Sequence, residues 1–226
     1  DNSDDVKQFL EELQVIVRSQ GVSDADMDKG SMRLEPNISL RKEGETELPN
    51  YKVEVKNINS FNFAKRAIDF EVKRHAEILD RGETPPQETR GYSEGNSSTV
   101  SQRIKEEAAD YRYFPEPDIP PFVFDDDFFA EIKKQMQELP HENIKRYESL
   151  GITYDEAYIL TRDKKVSLLF DKLIEVLDAD LIGKAARLVV NKKFALTDNI
   201  DKAVVEIKNL LQPKETNEDT LNTVID

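Results

Sequence analysis

Two stretches near the start of the chain alternate apolar and polar residues, and they constrain what this region can fold into. The first covers residues 32–41 and the second covers residues 51–56. A period of two is typical of β-strands that bury one face and leave the other open. The sequence therefore predicts two strands with one apolar face and one polar face.

The polar face of these predicted strands mixes cationic, amide, hydroxyl and carboxylate groups. Basic groups bind phosphates and carboxylates hold hard cations such as Mg²⁺, a combination that phosphoryl transfer uses. The same alternation is also typical of the solvated face of an antiparallel sheet, where it serves only solubility. The pattern alone leaves both interpretations open. The residues concerned are Arg33, Glu35, Asn37, Ser39, Arg41, Lys52, Glu54 and Lys56.

Composition limits the kinds of site that the chain can hold. It has 226 residues, no cysteine and two histidines, which excludes disulfides and thiolate metal sites and leaves little for a zinc site. Any metal is expected to be Mg²⁺ on oxygen ligands. The net charge of −14 argues against a general nucleic-acid coat. Because no apolar run of membrane-spanning length and no signal-peptide pattern occur, we expect a soluble, cytoplasmic protein without a membrane partner.

The first half of the chain also predicts two helices and a hairpin. Apolar periodicity predicts helices at residues 4–20 and about 62–81, the second capped by Ser60. His75 on the second helix has no partner at ligand spacing, so it is predicted to be a surface residue. The hairpin covers residues 87–105, where Arg90, Arg103 and Lys105 would extend the basic surface.

The second half is predicted to be helical. Prolines between residues 110 and 121 exclude helix there, and this extended segment would position Arg112 or seal the edge of the domain. The acidic residues 125–127 are expected to cap the next helix. We therefore predict an α+β domain at residues 1–124 and an all-helical domain at 125–226, with a frayed polar tail from residue 212.

Several motifs in this order and spacing resemble one protein family. They closely resemble the B subunit (GatB) of the tRNA-dependent aspartyl/glutamyl-tRNA(Asn/Gln) amidotransferase over about residues 1–180. The motifs are Gly30-Ser31-Met32-Arg33, Asn37-Ile38-Ser39-Leu40-Arg41, Glu54-Val55-Lys56-Asn57-Ile58-Asn59-Ser60-Phe61, Gln87-Glu88-Thr89-Arg90, and Lys105-Glu106-Glu107 running into residues 110–121.

The resemblance implies a fold and an activity. The fold would be an antiparallel-sheet cradle similar to glutamine synthetase, followed by a helical domain. The activity would be phosphorylation, with ATP and Mg²⁺, of the side-chain carboxylate of Glu-tRNA(Gln) or Asp-tRNA(Asn). Ammonia released from glutamine by the amidase (A) partner would then displace the phosphate, in a heterotrimer with the small (C) partner. The family's N-terminal cradle half and C-terminal tail domain have no counterpart here, so a fragment is expected.

The resemblance, together with strand parity, also implies roles for individual residues. Glu35 stands where the family has an acidic metal-associated residue, although Leu34-Glu35-Pro36-Asn37 replaces the usual Cys-Asp-Ala-Asn. Because Pro36 removes a backbone donor, the metal geometry is expected to differ. The expected metal ligands are Glu35 and Glu54, the expected catalytic residues are Arg33, Asn37 and Lys56, and the expected nucleotide-binding residues are Arg41, Arg90 and Arg103.

Two other functions remain open at this point. The chain could be a noncatalytic tRNA-binding or assembly module that keeps the fold without the site. It could also be an ATP-dependent carboxylate-amine ligase that acts on a free amino acid, which turnover without tRNA would reveal.

Overall fold

The computed structural model describes residues 2–104, 115–193 and 199–211. The chain divides into two compact units, Asp1–Met136 and Gln137–Asp226, whereas the sequence predicts a domain boundary after residue 124. The predictions for Lys105, Arg112 and the tail from residue 212 lie outside the described residues.

The first unit joins a small sheet to helices. Its sheet has the strand order β1-β2-β3-β4. Together with the second unit, the described residues form a mixed architecture that agrees with the predicted α+β class, while the glutamine-synthetase-like cradle stays a prediction. The elements of the first unit are α1 (Ser3–Ser19), β1 (Asn37–Ile38), β2 (Val53–Lys56), α2 (Phe61–Asp80), β3 (Glu88–Ser93), β4 (Ser98–Ile104) and α3 (Asp126–Gln135).

The sheet is mixed, so the prediction of an antiparallel sheet is wrong for its central pair. β1 and β2 are antiparallel, as are β3 and β4, but β2 and β3 are parallel. The reason is the connection: α2 carries the chain from the end of β2 back to the start of β3, and such a crossover joins parallel strands.

The first alternating stretch forms much less strand than its pattern predicts. Only Asn37 and Ile38 make up β1, with an isolated bridge between Leu34 and Ile58. Pro36 has no N–H to give to a ladder, although its carbonyl accepts from Val55 N at 2.9 Å. Burial nevertheless follows the predicted alternation, because Leu34 and Ile38 are buried while the polar residues between them are exposed.

Helix α2 covers one face of the sheet. It begins where Ser60 accepts a hydrogen bond from Phe63 N at 3.1 Å, which confirms the predicted cap. Its small and branched side chains pack with inward residues of the strands, so the other face of the sheet points away from the helix. The buried cluster consists of Leu34, Ile38, Val55, Ile58, Ala64, Ala67, Ile68 and Tyr92.

The second unit is helical throughout its described part, as the sequence predicts. Its core gathers around Tyr147, Phe170 and Leu160, all fully buried. In the described residues of both units, no helix is long and apolar enough to cross a bilayer. The helices of this unit are α4 (Pro140–Ser149), α5 (Tyr154–Thr161), α6 (Lys164–Val176), α7 (Ala179–Val190) and α8 (Ile200–Leu211).

Candidate functional site

The four strands each contribute one residue to a single row across the sheet. Asn37 pairs with Glu54, Glu54 pairs with Thr89, and Thr89 pairs with Arg103. Directly paired residues point to the same face of a sheet. Since the neighbouring Val53 is fully buried on the other face, the row lies on the face away from α2, which we call the open face. Asn37 and Arg103 are exposed there, whereas Thr89 between them is buried. We call these four residues the cross-sheet row.

A lysine joins two carboxylates beside this row. Lys56 Nζ lies 3.7 Å from Glu35 Oε2 and 3.7 Å from Glu54 Oε1. Asn37 Nδ2 donates to the backbone carbonyl of Glu35 at 3.2 Å, and Asn37 pairs with Glu54 across the sheet. The structure thus brings four predicted site residues together on one face. Their chemical roles stay predictions.

Thr89 orients one of the two carboxylates. Its Oγ1 donates to Glu54 Oε2 at 3.0 Å, while Glu54 Oε1 faces Lys56. The Glu54 side chain keeps only 17% of its surface exposed, compared with 40% for Glu35. Glu54 is therefore the more firmly held of the two acids.

The donor set suits a hard cation only in part. Mg²⁺ is usually bound by one or two carboxylates together with water and substrate phosphates. Glu35 and Glu54 provide such a pair, and their shared contact with one ammonium shows that their negative charges converge. No group of three or more His, Cys, Asp or Glu side chains suitable for a metal occurs in the part of the chain that the structure describes. The pair fits an ion that is completed by substrate oxygens.

Two other predicted arginines have different surroundings. Arg33 is exposed and lines a groove of about 740 Å³, which Glu35 and Asn37 also line, between α1, α2 and residues 33–40. Arg41 lies in the exposed loop after β1, where its Nη1 donates to the Thr46 carbonyl at 2.7 Å. Neither guanidinium is held against Glu54 or Lys56 by a contact among the described residues.

Arg90 lies on the opposite face, so the prediction that it extends the open basic surface is wrong. It pairs with Val55, whose neighbours in β2 point the other way. The Arg90 guanidinium contacts Glu88 Oε1 at 2.8 Å and Glu71 Oε1 at 3.1 Å under helix α2. The alternation within each strand does not show on which face Arg90 lies relative to Glu54. The parallel register between β2 and β3 determines it.

The prediction that His75 is a surface residue is also wrong. The structure buries it completely, with Nε2 3.0 Å from Glu71 Oε2 and Nδ1 3.5 Å from Tyr51 Oη. Although the first distance is that of an ion pair, His75 Nε2 makes no hydrogen bond of regular geometry within the described residues. The reason for the error is that α2 covers the sheet with His75 facing inward, four residues after Glu71.

Glu71 is a buried carboxylate with an altered pKa. Burial alone would raise the pKa, but the contacts with His75, Arg74 and Thr99 outweigh it and lower the pKa of Glu71 to about 2. Arg74 Nη2 approaches Glu71 Oε2 to 2.6 Å, and the Thr99 hydroxyl donates to Glu71 Oε1. The acid is therefore ionised and enclosed by donors.

Sequence reasoning missed both Thr89 and Glu71. Thr89 has no charge, and only the sheet register shows that it faces Glu54. Glu71 gives a clearer signal, since it stands three residues after Ile68 and four after Ala67 on the apolar stripe of α2. A charged residue at such a position indicates a buried, paired acid.

Comparison with known proteins agrees with this arrangement of motifs. The family model described as the GatB/GatE catalytic domain matches residues 1–130. The B subunit of an aspartyl/glutamyl-tRNA(Asn/Gln) amidotransferase from Thermotoga maritima is 44% identical over 171 residues, which cover 75% of this chain and 35% of that protein.

Two further relatives extend the match toward the end of the chain. The protein of the same name from Persephonella marina is 42% identical over 89% of this chain and 42% of its own length. The chloroplastic/mitochondrial B subunit of glutamyl-tRNA(Gln) amidotransferase from Physcomitrium patens is 38% identical over 89% of this chain and 35% of its own length. The chain thus spans less than half the length of these relatives. By its matched residues 1–130, it belongs to the family of the GatB/GatE catalytic domain.

Proposed function

We propose that this chain is the phosphorylating part of the B subunit of a tRNA-dependent amidotransferase. The observation that carries the proposal is the convergence of Glu35, Glu54 and Lys56 beside the cross-sheet row, in a chain of this family. The reaction joins two anions, a carboxylate nucleophile and the γ-phosphate of ATP. Such a reaction requires cations at both partners and a fixed orientation between them.

Five residues of the open face have a part in this proposal. Lys56 neutralises charge on the transferred phosphoryl group, and Arg103 at the far end of the row contacts the nucleotide. Asn37 orients the acceptor carboxylate by its side-chain amide. Glu35 and Glu54 would hold Mg²⁺, and the bound ion would supply charge neutralisation at the phosphates.

The chemistry proceeds in two displacements. An oxygen of the side-chain carboxylate of Glu-tRNA(Gln) or Asp-tRNA(Asn) bonds to the γ-phosphorus while the bond to the β,γ-bridging oxygen breaks, which releases ADP. Ammonia then attacks the acyl carbon and inorganic phosphate leaves, which forms the amide. The ammonia comes from glutamine through the amidase (A) partner, in a complex that also contains the small (C) partner. The proposed location is the cytoplasm.

The decisive experiment measures γ-phosphate release from Mg·ATP by the protein reconstituted with its amidase and small partners. Release should depend on mischarged Glu-tRNA(Gln) and disappear in Glu35→Gln, which keeps the side-chain size and removes the charge. Glu47→Gln, an exposed glutamate in the loop before β2, is the matched control and should retain activity. Release that persists in Glu35→Gln would refute the assignment of this face.

One observation favours a second candidate, a noncatalytic tRNA-binding or assembly module. Among the described residues no cluster of three metal-binding side chains forms, and Lys56 contacts both available acids. For such a module, tRNA binding would be unchanged in Glu35→Gln and phosphate release would be absent in every variant. Release with free glutamate and no tRNA would instead indicate a ligase for a free amino acid.

A further inference from the structure

The ladder between β3 and β4 contains a β-bulge next to the cross-sheet row. Arg90 pairs with Ser101, whereas Thr89 pairs with Arg103, so Gln102 is the extra residue on β4. A bulge of this kind inserts one residue into one strand and re-aims the side chains around it.

This bulge decides which face Arg103 occupies. If the ladder continued regularly from the Arg90–Ser101 pair, Gln102 would stand opposite Thr89 and Arg103 would stand opposite Glu88. Glu88 points toward helix α2, and a slip of one residue moves a side chain to the other face. The bulge therefore keeps Arg103 in the row with Glu54 and Thr89.

Polar side chains on the covered face bridge the bulge. Glu88 lies on one side of it and accepts a hydrogen bond from the Ser101 hydroxyl on the other side. Arg90 Nη1 donates to Glu88 Oε1 at 2.8 Å. Arg90 also ties down β4, since Nε donates to Thr99 Oγ1 at 2.8 Å and Nη2 donates to the Thr99 carbonyl at 2.9 Å. We call Glu88, Arg90 and Ser101 the register clamp.

Helix α2 makes further contacts with the clamp. Glu71, fully buried, lies 3.1 Å from Arg90 Nε and accepts from the Thr99 hydroxyl. Arg74 Nη2 lies 3.5 Å from Glu88 Oε1. Removing one member of a buried, hydrogen-bonded charge network leaves the remaining charges unpaired, which is costly. The helix thus disfavours any register in which the clamp is broken.

We propose that the register clamp is a positioning device for the open face. Its charged members, Glu88 and Arg90, lie beside α2 with little exposure, and Ser101 is exposed on β4. The clamp acts by fixing the bulge, which places Arg103 opposite Thr89. The effect of the clamp on turnover rests on the proposed function, while its effect on the register does not. The two parts are tested separately.

The register is measured by disulfide cross-linking in the full chain, which has no cysteine of its own. Directly opposed residues of antiparallel strands have Cα atoms about 4.5–5.5 Å apart, which suits a disulfide. The pair Thr89→Cys with Arg103→Cys should cross-link when the clamp is intact. Adding Ser101→Ala or Arg90→Lys should shift the yield toward the pair Thr89→Cys with Gln102→Cys.

A matched control uses the other end of the same strand. Ser98→Ala removes a hydroxyl from β4 outside the clamp and should leave both cross-linking yields unchanged. Yields that are the same with and without Ser101→Ala and Arg90→Lys would overturn the proposal. This result does not depend on any catalytic activity, so it remains decisive if the proposed function fails.

The second test measures the turnover of ATP. In the reconstituted complex, Ser101→Ala and Arg90→Lys should lower kcat/KM for ATP roughly tenfold, as expected when an outer contact that orients a site is lost. Deleting Gln102 removes the bulge residue and leaves Arg103 opposite Thr89 in a regular ladder. The deletion should therefore restore activity to Ser101→Ala. A loss that the deletion fails to restore would show a general structural effect and overturn the positioning role.

Discussion

Glu71 Oε2 lies 3.0 Å from His75 Nε2, and neither side chain is exposed to solvent. This pair lies at the centre of a network that also includes Arg74, Arg90 and Thr99. A buried ionised carboxylate is stable only while its donors are in place. The stability of the first unit should therefore depend on the ionisation of Glu71.

The first prediction concerns acid unfolding. The pKa of Glu71 is about 2 in the folded chain and has its ordinary value of 4.5 in the unfolded chain, so the folded state favours the ionised acid. The resulting stabilisation is complete above pH 4.5 and is lost as the pH falls toward 2. Urea midpoints of the wild type should fall more steeply than those of Glu71→Gln across this window. Midpoints that fall equally with pH in the wild type and in Glu71→Gln would contradict this prediction.

At neutral pH, Glu71→Gln should destabilise the first unit by roughly 3 kcal/mol, because Arg74 and Arg90 lose a buried counterion. Glu77→Gln, at an exposed position of the same helix, is the control and should change the midpoint little. A loss of similar size in both variants would mean that burial of the charge has no special role.

A second prediction concerns the hydroxyl that orients Glu54. Thr89→Val keeps the shape of the side chain but removes the donor at 3.0 Å from Glu54 Oε2. Losing an outer contact of a metal-binding carboxylate typically reduces metal affinity or activity roughly ten- to a hundredfold. The dependence of phosphate release on Mg²⁺ concentration should shift to higher values. The exposed Thr84→Val is the control, and an unchanged Mg²⁺ dependence in Thr89→Val would disprove the role.

The third prediction separates activity from stability at Lys56. Lys56→Met should reduce kcat by roughly a hundredfold, as when one preorganised donor to a developing anion is lost. Its ion pairs with Glu35 and Glu54 are partly exposed, so stability should change by less than about 1 kcal/mol. Lys52→Met, at the exposed position just before the same strand, serves as the control. A large loss of stability with little loss of activity in Lys56→Met would show that Lys56 has a structural role and not a catalytic one.

The fourth prediction concerns the second unit. Tyr147 is fully buried, and its hydroxyl donates to Asp171 Oδ1 at 2.8 Å. Burial, with the negative charge of Asp171, raises the pKa of Tyr147 above its usual value. Tyr147→Phe should cost about 1 kcal/mol in urea unfolding, since it removes one hydrogen bond to an acid that Arg146 still contacts. The exposed Tyr154→Phe should cost much less, and equal losses in the two variants would contradict a role for the buried hydroxyl.

The sequence predicted which side chains lie on the open face where the alternation along a single strand was sufficient. Glu54 and Lys56 alternate with the buried Val53 and Val55, so parity along β2 was sufficient. The face of Glu35 could be predicted in the same way, because Glu35 is exposed while Leu34 before it is buried and Pro36 after it is half-buried. Local periodicity reports which side chains share a face of one strand.

Relationships between strands could not be predicted in the same way. Arg90 and Glu54 lie on opposite faces because β2 and β3 pair in parallel with a particular register, and no local pattern encodes that register. The extra residue at Gln102 likewise depends on side chains from α2, β3 and β4 acting together. The prediction for His75 is wrong because it considered only metal-ligand spacing, whereas the partner of His75 is a carboxylate one helical turn before it, Glu71.

The network around Glu71 also determines how the first unit comes apart. Its members come from α2, β3 and β4, so separating the helix from the strands breaks the contacts of Glu71 with Arg90 and Thr99 and the contact of Arg74 with Glu88. Partial opening of this region is therefore costly, and the helix and hairpin should exchange their amide protons together as one cooperative block.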